Sequence, residues 1–399
     1  MTQKYPLEGI VVLDLGQIYQ GPYATFLMAM AGARVIKVEP PEGEYLRARA
    51  EVGGAAMPFS MLNSNKESVV VNLKTPEGAD LFLQMARKAD VVLENFAPNT
   101  MDRLGVGWKV LHEINPRLIY AAGSGYGRTG PYRDYPAMDL TVQAMSGIMS
   151  ITGFPDREPV KSGPALCDFF GGIHLYAATI TALFEREKTG KGRLIDVSLQ
   201  DAVYPSLSSN LSLWFSSGGK APLRTGNRHG GMSASPYNVY PASDGYVAII
   251  CVGQRQWLWL LEAMGRPELA SDLKYITLKA RCDNMDEVDA LVSSWTQTRT
   301  KTEIFETLLR HKVPAAPVRE LHEVVDDPNM HQRGMLQWID HPEYGRIVLP
   351  NTPLRFDGLD PLALRPSPRL DADAQAILRD WFGLSEAEMS TLRAAGAIG

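Results

Sequence analysis

Asp168 is the residue in this chain whose setting most invites chemistry. It stands in Gly163-Pro164-Ala165-Leu166-Cys167-Asp168-Phe169-Phe170-Gly171-Gly172, between a polar loop and a long apolar helical pattern. A carboxylate among small and apolar residues is costly unless it is paired, hydrogen-bonded or used for a reaction. Three roles suit the residue type there: covalent nucleophile, general base, or N-cap of the helix expected over 171–187. Gly171 and Gly172 weaken the start of that helix and would open room for a bulky group beside the carboxylate. Asp139, in Pro136-Ala137-Met138-Asp139-Leu140, is a second isolated carboxylate before an apolar helix, and it too could be an N-cap.

Other chemistries find less support. Gly125-Tyr126-Gly127-Arg128-Thr129-Gly130 has the GxGxxG spacing, but Pro131-Tyr132-Arg133-Asp134-Tyr135-Pro136 follows it as a loop. The dinucleotide fingerprint needs a helix N-terminus at that point to receive the pyrophosphate. Gly16-Gln17-Ile18-Tyr19-Gln20-Gly21 has P-loop glycine spacing without the following Lys-Ser/Thr, so it reads as a strand-to-helix turn that lets a ligand approach the backbone. The seven histidines form no tight group: His331 and His341 flank an expected strand and His174 lies in an apolar helix. No His/Cys/Asp grouping has metal-ligand spacing, so no metal ligand is assigned. No serine sits in a G-x-S-x-G elbow.

The elements that must position Asp168 alternate between strands and helices. Strands are expected over 10–15, 34–38, 91–94 and 118–122, and helices over 23–30 and 76–88, with Pro76 suited to a first turn. That rhythm predicts a doubly wound parallel sheet, whose ligands bind beyond the carboxyl ends of the strands. Asp14-Leu15-Gly16, Glu94-Asn95-Phe96 and Gly123-Ser124-Gly125 would lie there. After the long helix, a stop at Lys188–Gly192 precedes a strand over 194–198 and a helix from Gln200 towards Trp214. The glycine-rich stretches 216–220 and 225–231 mark a domain change. The expected organisation is a large α/β domain over 1–205, a linker over 206–228, a small α+β domain over 229–330, and a return to the large domain over 331–399. A strand is expected over 246–251 and two tail helices over 372–382 and 385–394, with Ser385 and Glu388 at capping-box spacing.

Bulk properties narrow the function classes. A length of 399 residues suits two domains, and 45% hydrophobic with 21% charged residues describes an ordinary soluble protein. A net charge of −5 argues against nucleic acid as a partner, so an anionic ligand would need a local basic site. Cys167, Cys251 and Cys282 have neither disulfide nor metal spacing, which points to a reducing compartment. No signal core or bilayer-length apolar run is read, so a cytoplasmic enzyme with no membrane partner is expected.

A series of short stretches begins at Pro6-Leu7-Glu8-Gly9, Val12-Leu13-Asp14 and Gly21-Pro22, and continues through Gly32–Glu39, Asn65-Lys66 and Leu73–Gly78. Glu94-Asn95-Phe96, Arg103-Leu104-Gly105, Asn115-Pro116-Arg117 and Gly125-Tyr126-Gly127 extend it. So do Asp139 with Gln143-Ala144, Arg186–Gly192, Gln200-Asp201-Ala202, Asp327-Pro328, Arg333-Gly334 and His341-Pro342, in order along nearly the whole chain. In these stretches the chain resembles the class III CoA-transferases, the family of formyl-CoA transferase, crotonobetainyl-CoA transferase and α-methylacyl-CoA racemase.

The resemblance implies a Rossmann-like large domain with a smaller α+β domain and an interlocked-ring homodimer. It implies Asp168 as the catalytic carboxylate of an acyl-CoA:carboxylate CoA-transferase, with the CoA thioester as co-substrate, small carboxylic acids as partners and no permanently bound cofactor. Positions matching the family's CoA contacts are Tyr19, Gln20, Val71, Lys74, Asn95, Phe96, Arg103, Leu104 and Leu199, with Lys74 and Arg103 as the phosphate contacts. Asp139, Met138 and His229-Gly230-Gly231 are the substrate-pocket candidates, the last standing approximately for the family's glycine-rich loop. Met138 replaces the histidine of the racemase branch, which favours transfer over racemisation. Tyr19, adjoining Gln20, replaces a glutamine that formyl-CoA transferase uses near the reacting carboxylates. Arg128, Arg133 and His229 could each hold a second carboxylate, which makes a dicarboxylate such as succinate a candidate acid. The alternatives are an acyl-CoA epimerase and a non-catalytic CoA-binding protein.

Overall fold

A computed structural model describes residues 5–49 and 56–399. Its contacts divide the chain into two compact units, one of residues 1–142, 165–203 and 325–399 and one of residues 143–164 and 204–324. The segment expected as a linker, 206–228, carries the helix Ser208–Ser216 and belongs with the second unit.

The first unit is built on six strands: β1 (Val11–Asp14), β2 (Arg34–Glu39), β3 (Glu67–Val70), β4 (Val91–Glu94), β5 (Ile119–Ser124) and β6 (Leu194–Ser198). They pair in the order β3-β2-β1-β4-β5-β6, every pairing parallel. The period of two splits their apolar side chains between two faces. Leu13, Ile36, Val92 and Tyr120 share a core with Phe82 and Met85 of the helix Pro76–Lys88. Val12, Val35, Val91 and Ile119 share the other with Ala24 and Met28 of the helix Gln20–Met30 and Leu175 of the helix Leu166–Thr189. The expected Rossmann-like sheet is therefore present, and the chain reverses direction across it between β1 and β4. Loops leaving the carboxyl ends of those two neighbours diverge and leave a crevice.

Leu166–Thr189 is, among the described residues, the helix long and apolar enough to cross a membrane. Here its buried face serves the core beneath the sheet. It begins five residues before the expected start, because its cap comes from elsewhere in the chain. Ala165 offers no side-chain cap, and Asp139 Oδ1 accepts the backbone N–H of Cys167 at 2.8 Å instead. Gly171 and Gly172 are inside the helix rather than at its start, and they open no room beside Asp168. A Cβ on Gly171 would stand 2.5 Å from Leu199 Cδ2, and one on Gly172 would stand 2.8 Å from the Gln20 carbonyl. Their role is the close approach of two helices.

The second unit holds an antiparallel sheet, β7 (Tyr237–Ala242), β8 (Gly245–Ile250) and β9 (Ala315–Pro317), in that spatial order. Val247 and Ile249 on its inner face pack with Trp257, Leu260, Val288 and Ile304 from the helices that follow. This is the smaller α+β body expected from the sequence. A hairpin of β10 (Leu336–His341) and β11 (Gly345–Pro350) returns to the first unit.

Candidate active site

The turn after β1 is fixed by a set of buried and part-buried hydrogen bonds. Asp14, fully buried, accepts the Gly16 N–H at 2.8 Å and pairs with the Lys66 ammonium at 2.8 Å. Burial pulls Lys66 down to about 8, while the charges of Lys66 and Lys37 outweigh burial at Asp14 and hold its carboxyl below the usual range. Lys37 Nζ donates to the Gly16 carbonyl at 2.8 Å. The Asn95 side chain clamps Gln17 from both sides, accepting its N–H at 2.7 Å and donating to its carbonyl at 2.9 Å. Glu44 Oε2 accepts the Ile18 N–H at 3.1 Å. These bonds hold Ile18 at φ 64°, a conformation that a β-branched residue adopts only when its surroundings impose it. Tyr19 and Gln20 are thereby set at the N-terminus of the next helix.

Two cavities open at this crevice. One, of about 260 Å³, is lined by Gln17, Gln20, Asn95, Met138, Asp168 and Leu199. The other, of about 230 Å³, is lined by Glu44, Val71, Leu73, Lys74 and Leu104. Gln17 and Phe96 line both, so the two cavities adjoin.

Asp168 is the third residue of its helix and not its cap. It is 9% exposed, and its carboxylate accepts no hydrogen bond from the described residues. Burial first, and the charge of Asp139 second, push its carboxyl up to about 7. That value lies close to neutrality, and no ion pair to the Asp168 carboxylate occurs among the described residues. Tyr19 lies close enough for the Asp168 charge to help raise its phenol, after burial, and its ring stacks on Phe169 with centroids 5.9 Å apart. Asp139 is the first residue of its own helix and turns its Oδ1 to the N–H groups of Cys167 and, at 3.4 Å, of Asp168.

A third buried carboxylate borders the crevice. Glu94, at the end of β4, accepts the Phe96 N–H at 2.8 Å and the Tyr120 hydroxyl at 3.1 Å. Arg128 lies 3.8 Å from it and 3.5 Å from Asp102. Burial still pushes the Glu94 carboxyl up to about 7. Arg128, expected as a holder of a substrate carboxylate, is thus engaged with two carboxylates of the chain itself. Arg133 differs: it lines the Asp168 cavity, and its ion pair with Asp134, at 3.0 Å, is exposed.

The remaining positions are distributed as follows. Lys74 is exposed at the rim of the second cavity, 3.9 Å from Glu42. Arg103 lines neither cavity and donates to Thr100 Oγ1 at 2.9 Å. His229, Gly230 and Gly231 belong to the second unit, where His229 Nδ1 accepts the Gly231 N–H at 3.2 Å. Sequence reading missed Glu44 and the clamp on Gln17, because both depend on loop partners far apart in the chain. Glu94 left one signal, a lone acid closing the apolar run Val91-Val92-Leu93. No group of three or more His, Cys, Asp or Glu side chains suited to a metal occurs among the described residues.

Comparison with known proteins gives the site its context. The family model for CoA-transferase family III matches residues 7–374. The chain is 40% identical to an acetyl-CoA:oxalate CoA-transferase of Acetobacter aceti, over 96% of this chain and 98% of that one. It is 35% identical to a succinate–glutarate CoA-transferase of Agrobacterium fabrum, over 95% and 96% of the two chains. A crystal structure of a CAIB/BAIF family protein from Brucella suis superposes with a TM-score of 0.82 at 36% identity, covering 95% of this chain and 100% of that one. The chain belongs to CoA-transferase family III.

Proposed function

We propose that this CoA-transferase moves CoA from an acyl-CoA donor to a carboxylic acid through covalent intermediates on Asp168, and that at least one of the two acids is a dicarboxylate. The observation that carries the reading is a buried carboxyl, without a hydrogen-bond partner among the described residues, that lines a cavity adjoining the sheet's crevice. An Asp168 carboxylate oxygen attacks the thioester carbonyl; the C–S bond breaks, and a mixed anhydride and CoA thiolate form. The thiolate attacks the Asp168 carbonyl, giving an aspartyl-CoA thioester and releasing the donor acid. The acceptor carboxylate attacks that thioester, expelling the thiolate and forming a second anhydride. The thiolate then takes the acceptor's acyl group and frees the Asp168 carboxylate. One oxygen of the acceptor stays on Asp168, and every bond broken is matched by one formed.

Tyr19, Gln20, Val71, Asn95, Phe96, Leu104 and Leu199 are the proposed CoA contacts, with Lys74 and Arg103 meeting phosphates from exposed positions. Asp139 acts by capping the helix that carries Asp168. Met138, 56% exposed at the same cavity, supplies no proton, which is the reason to prefer transfer over epimerisation. Arg133 supports the dicarboxylate reading, since an exposed pair with Asp134 exchanges for a substrate carboxylate at little cost. The names of the relatives point the same way, as oxalate, succinate and glutarate are all diacids. His229-Gly230-Gly231 stay in the proposal as the substrate loop, by resemblance to the family. Exposed Phe184 and Phe215 suit the proposed homodimer, and three unpaired cysteines suit a cytoplasmic location.

A panel of acyl-CoA donors against mono- and dicarboxylic acids, read by mass spectrometry of the new acyl-CoA, tests the reading. A preference for diacids is expected. Equal use of monoacids would remove the dicarboxylate claim, and CoA binding without any transfer would leave a non-catalytic CoA-binding protein.

A further inference from the structure

Glu44 carries a hydrogen-bonding demand that the described residues do not meet. It is 1% exposed and lines the cavity of about 230 Å³ beside the β1 turn. One carboxyl oxygen, Oε2, holds the Ile18 N–H at 3.1 Å. The other, Oε1, is buried and has no hydrogen-bond partner among the described residues. The nearby cations are already engaged, Lys66 by Asp14 at 2.8 Å and Lys37 by the Gly16 carbonyl at 2.8 Å. A buried acceptor left unpaired is costly, and one that lines a cavity implies a donor brought by the ligand.

The cavity narrows the choice of donor. Val71, Leu73, Phe96 and Leu104 line it with apolar surface, which suits the faces of a flat heterocycle. A carboxylate repels phosphate and CoA carries no cationic group, so the ligand group at Oε1 is a neutral donor, with phosphate left to exposed Lys74 at the rim. The adjoining cavity contains Asp168, where the sulfur end of an acyl-CoA must lie, so this one receives the far, nucleotide end. Of the donors at that end, the exocyclic amino group of adenine is the one on the edge of a flat ring.

We infer that Glu44 Oε1 accepts a hydrogen bond from the adenine amino group and so makes the enzyme selective for the base of its coenzyme. This inference rests on the CoA-transferase reading above. Glu44 is on this account a binding residue that also pins the Ile18 turn, which couples occupation of the base site to the loop holding Tyr19 and Gln20.

The test alters the ligand as well as the protein. Acetyl-CoA is compared with an analogue carrying unsubstituted purine, in which hydrogen replaces the amino group without added bulk. Wild-type enzyme should show a KM about tenfold higher for the analogue with kcat unchanged, the mark of a binding contact equal in ground and transition states. Glu44→Gln has only one acceptor oxygen for two donors, so its KM ratio between the two esters should shrink towards one. The wild-type arm stands even if that variant folds poorly. Equal KM values for the two esters in wild type, with normal turnover, would overturn the inference and leave the transferase reading standing. Failure of wild type to turn over or bind either ester would overturn both.

Discussion

Asp168 and Glu94 are both buried carboxyls at the edge of one crevice, and burial pushes both up to about 7. Their surroundings differ. Glu94 is met by a backbone N–H, a tyrosine hydroxyl and a guanidinium, all from its own unit. Asp168 meets the negative charge of Asp139 and otherwise faces a cavity. A raised pKa therefore does not by itself separate a reacting carboxylate from a structural one. Unmet hydrogen-bonding capacity directed into a cavity marks a carboxyl left for a ligand, as at Asp168 and Glu44, and not one spent on the fold.

Exchanging the two residues in turn should separate those roles. Asp168→Asn removes the nucleophile and should lower turnover by at least about a thousandfold, the scale on which losing a nucleophile acts, with CoA affinity retained. Glu94→Gln keeps a side chain of the same shape and should reduce turnover by no more than about tenfold, since it acts only by positioning Phe96 and Arg128. Steady-state kinetics on the two purified variants would erase the distinction if their losses were equal.

Stability against pH sharpens the contrast. The Asp168 carboxyl has a higher pKa folded than unfolded, so the native state holds its proton more tightly. Its favourable contribution is complete below the unfolded value near pH 4 and is lost as pH rises through about 7. Asp168→Asn should therefore match wild type near pH 4 and exceed it above pH 7 by up to about 4 kcal/mol, measured by urea unfolding. In wild type, kcat/KM should fall as pH drops below 7, and Asp139→Asn, which keeps an acceptor for the Cys167 N–H, should move that break to lower pH. If the Asp168→Asn variant gained as much stability on acidification as wild type does, the slope would belong to other groups.

Smaller effects test the frame around the pair. Gly171→Ala forces a Cβ to within 2.5 Å of Leu199 and 2.9 Å of Gln20, and should cost about 1–3 kcal/mol with a rise in KM. Ser385→Ala breaks an exposed capping box, lining neither cavity, in which Ser385 and Glu388 bond reciprocally at 2.8 Å and 3.3 Å. It should cost about 1 kcal/mol by thermal unfolding and leave turnover unchanged.

Where structure follows from neighbours in sequence, it was legible. The helix Pro76–Lys88 matches its expected bounds because Thr75 caps it, Pro76 suits its first turn and apolar residues recur along one face. The runs 91–94 and 194–198 become β4 and β6 as expected, being short and bounded by loops. Ser385 and Glu388 form the box their spacing implied. The start of the helix carrying Asp168 was not legible, because its cap, Asp139, lies 28 residues away and its internal glycines resemble a helix breaker. Gly171 and Gly172 are there for a helix neighbour that no local pattern announces. In the site, Asn95, Phe96, Gln20 and Leu199 gather at the cavity of Asp168, and Val71, Lys74 and Leu104 at its neighbour. The engagement of Arg128 by Glu94 and Asp102 was not legible, because both are remote from it in sequence. The unmet oxygen of Glu44 is invisible without coordinates, since any glutamate in a loop is expected to be solvated.

The central claim is that Asp168 becomes covalently bound to CoA during turnover. Incubation with an acyl-CoA donor followed by mild hydroxylamine, with peptide mass spectrometry of the whole digest, reads that state directly. A hydroxamate on Asp168, dependent on the donor and depleted when acceptor acid is added first, is the expected result. An enzyme that transfers CoA under the same conditions while Asp168 stays unmodified and another carboxylate carries the label would contradict the account.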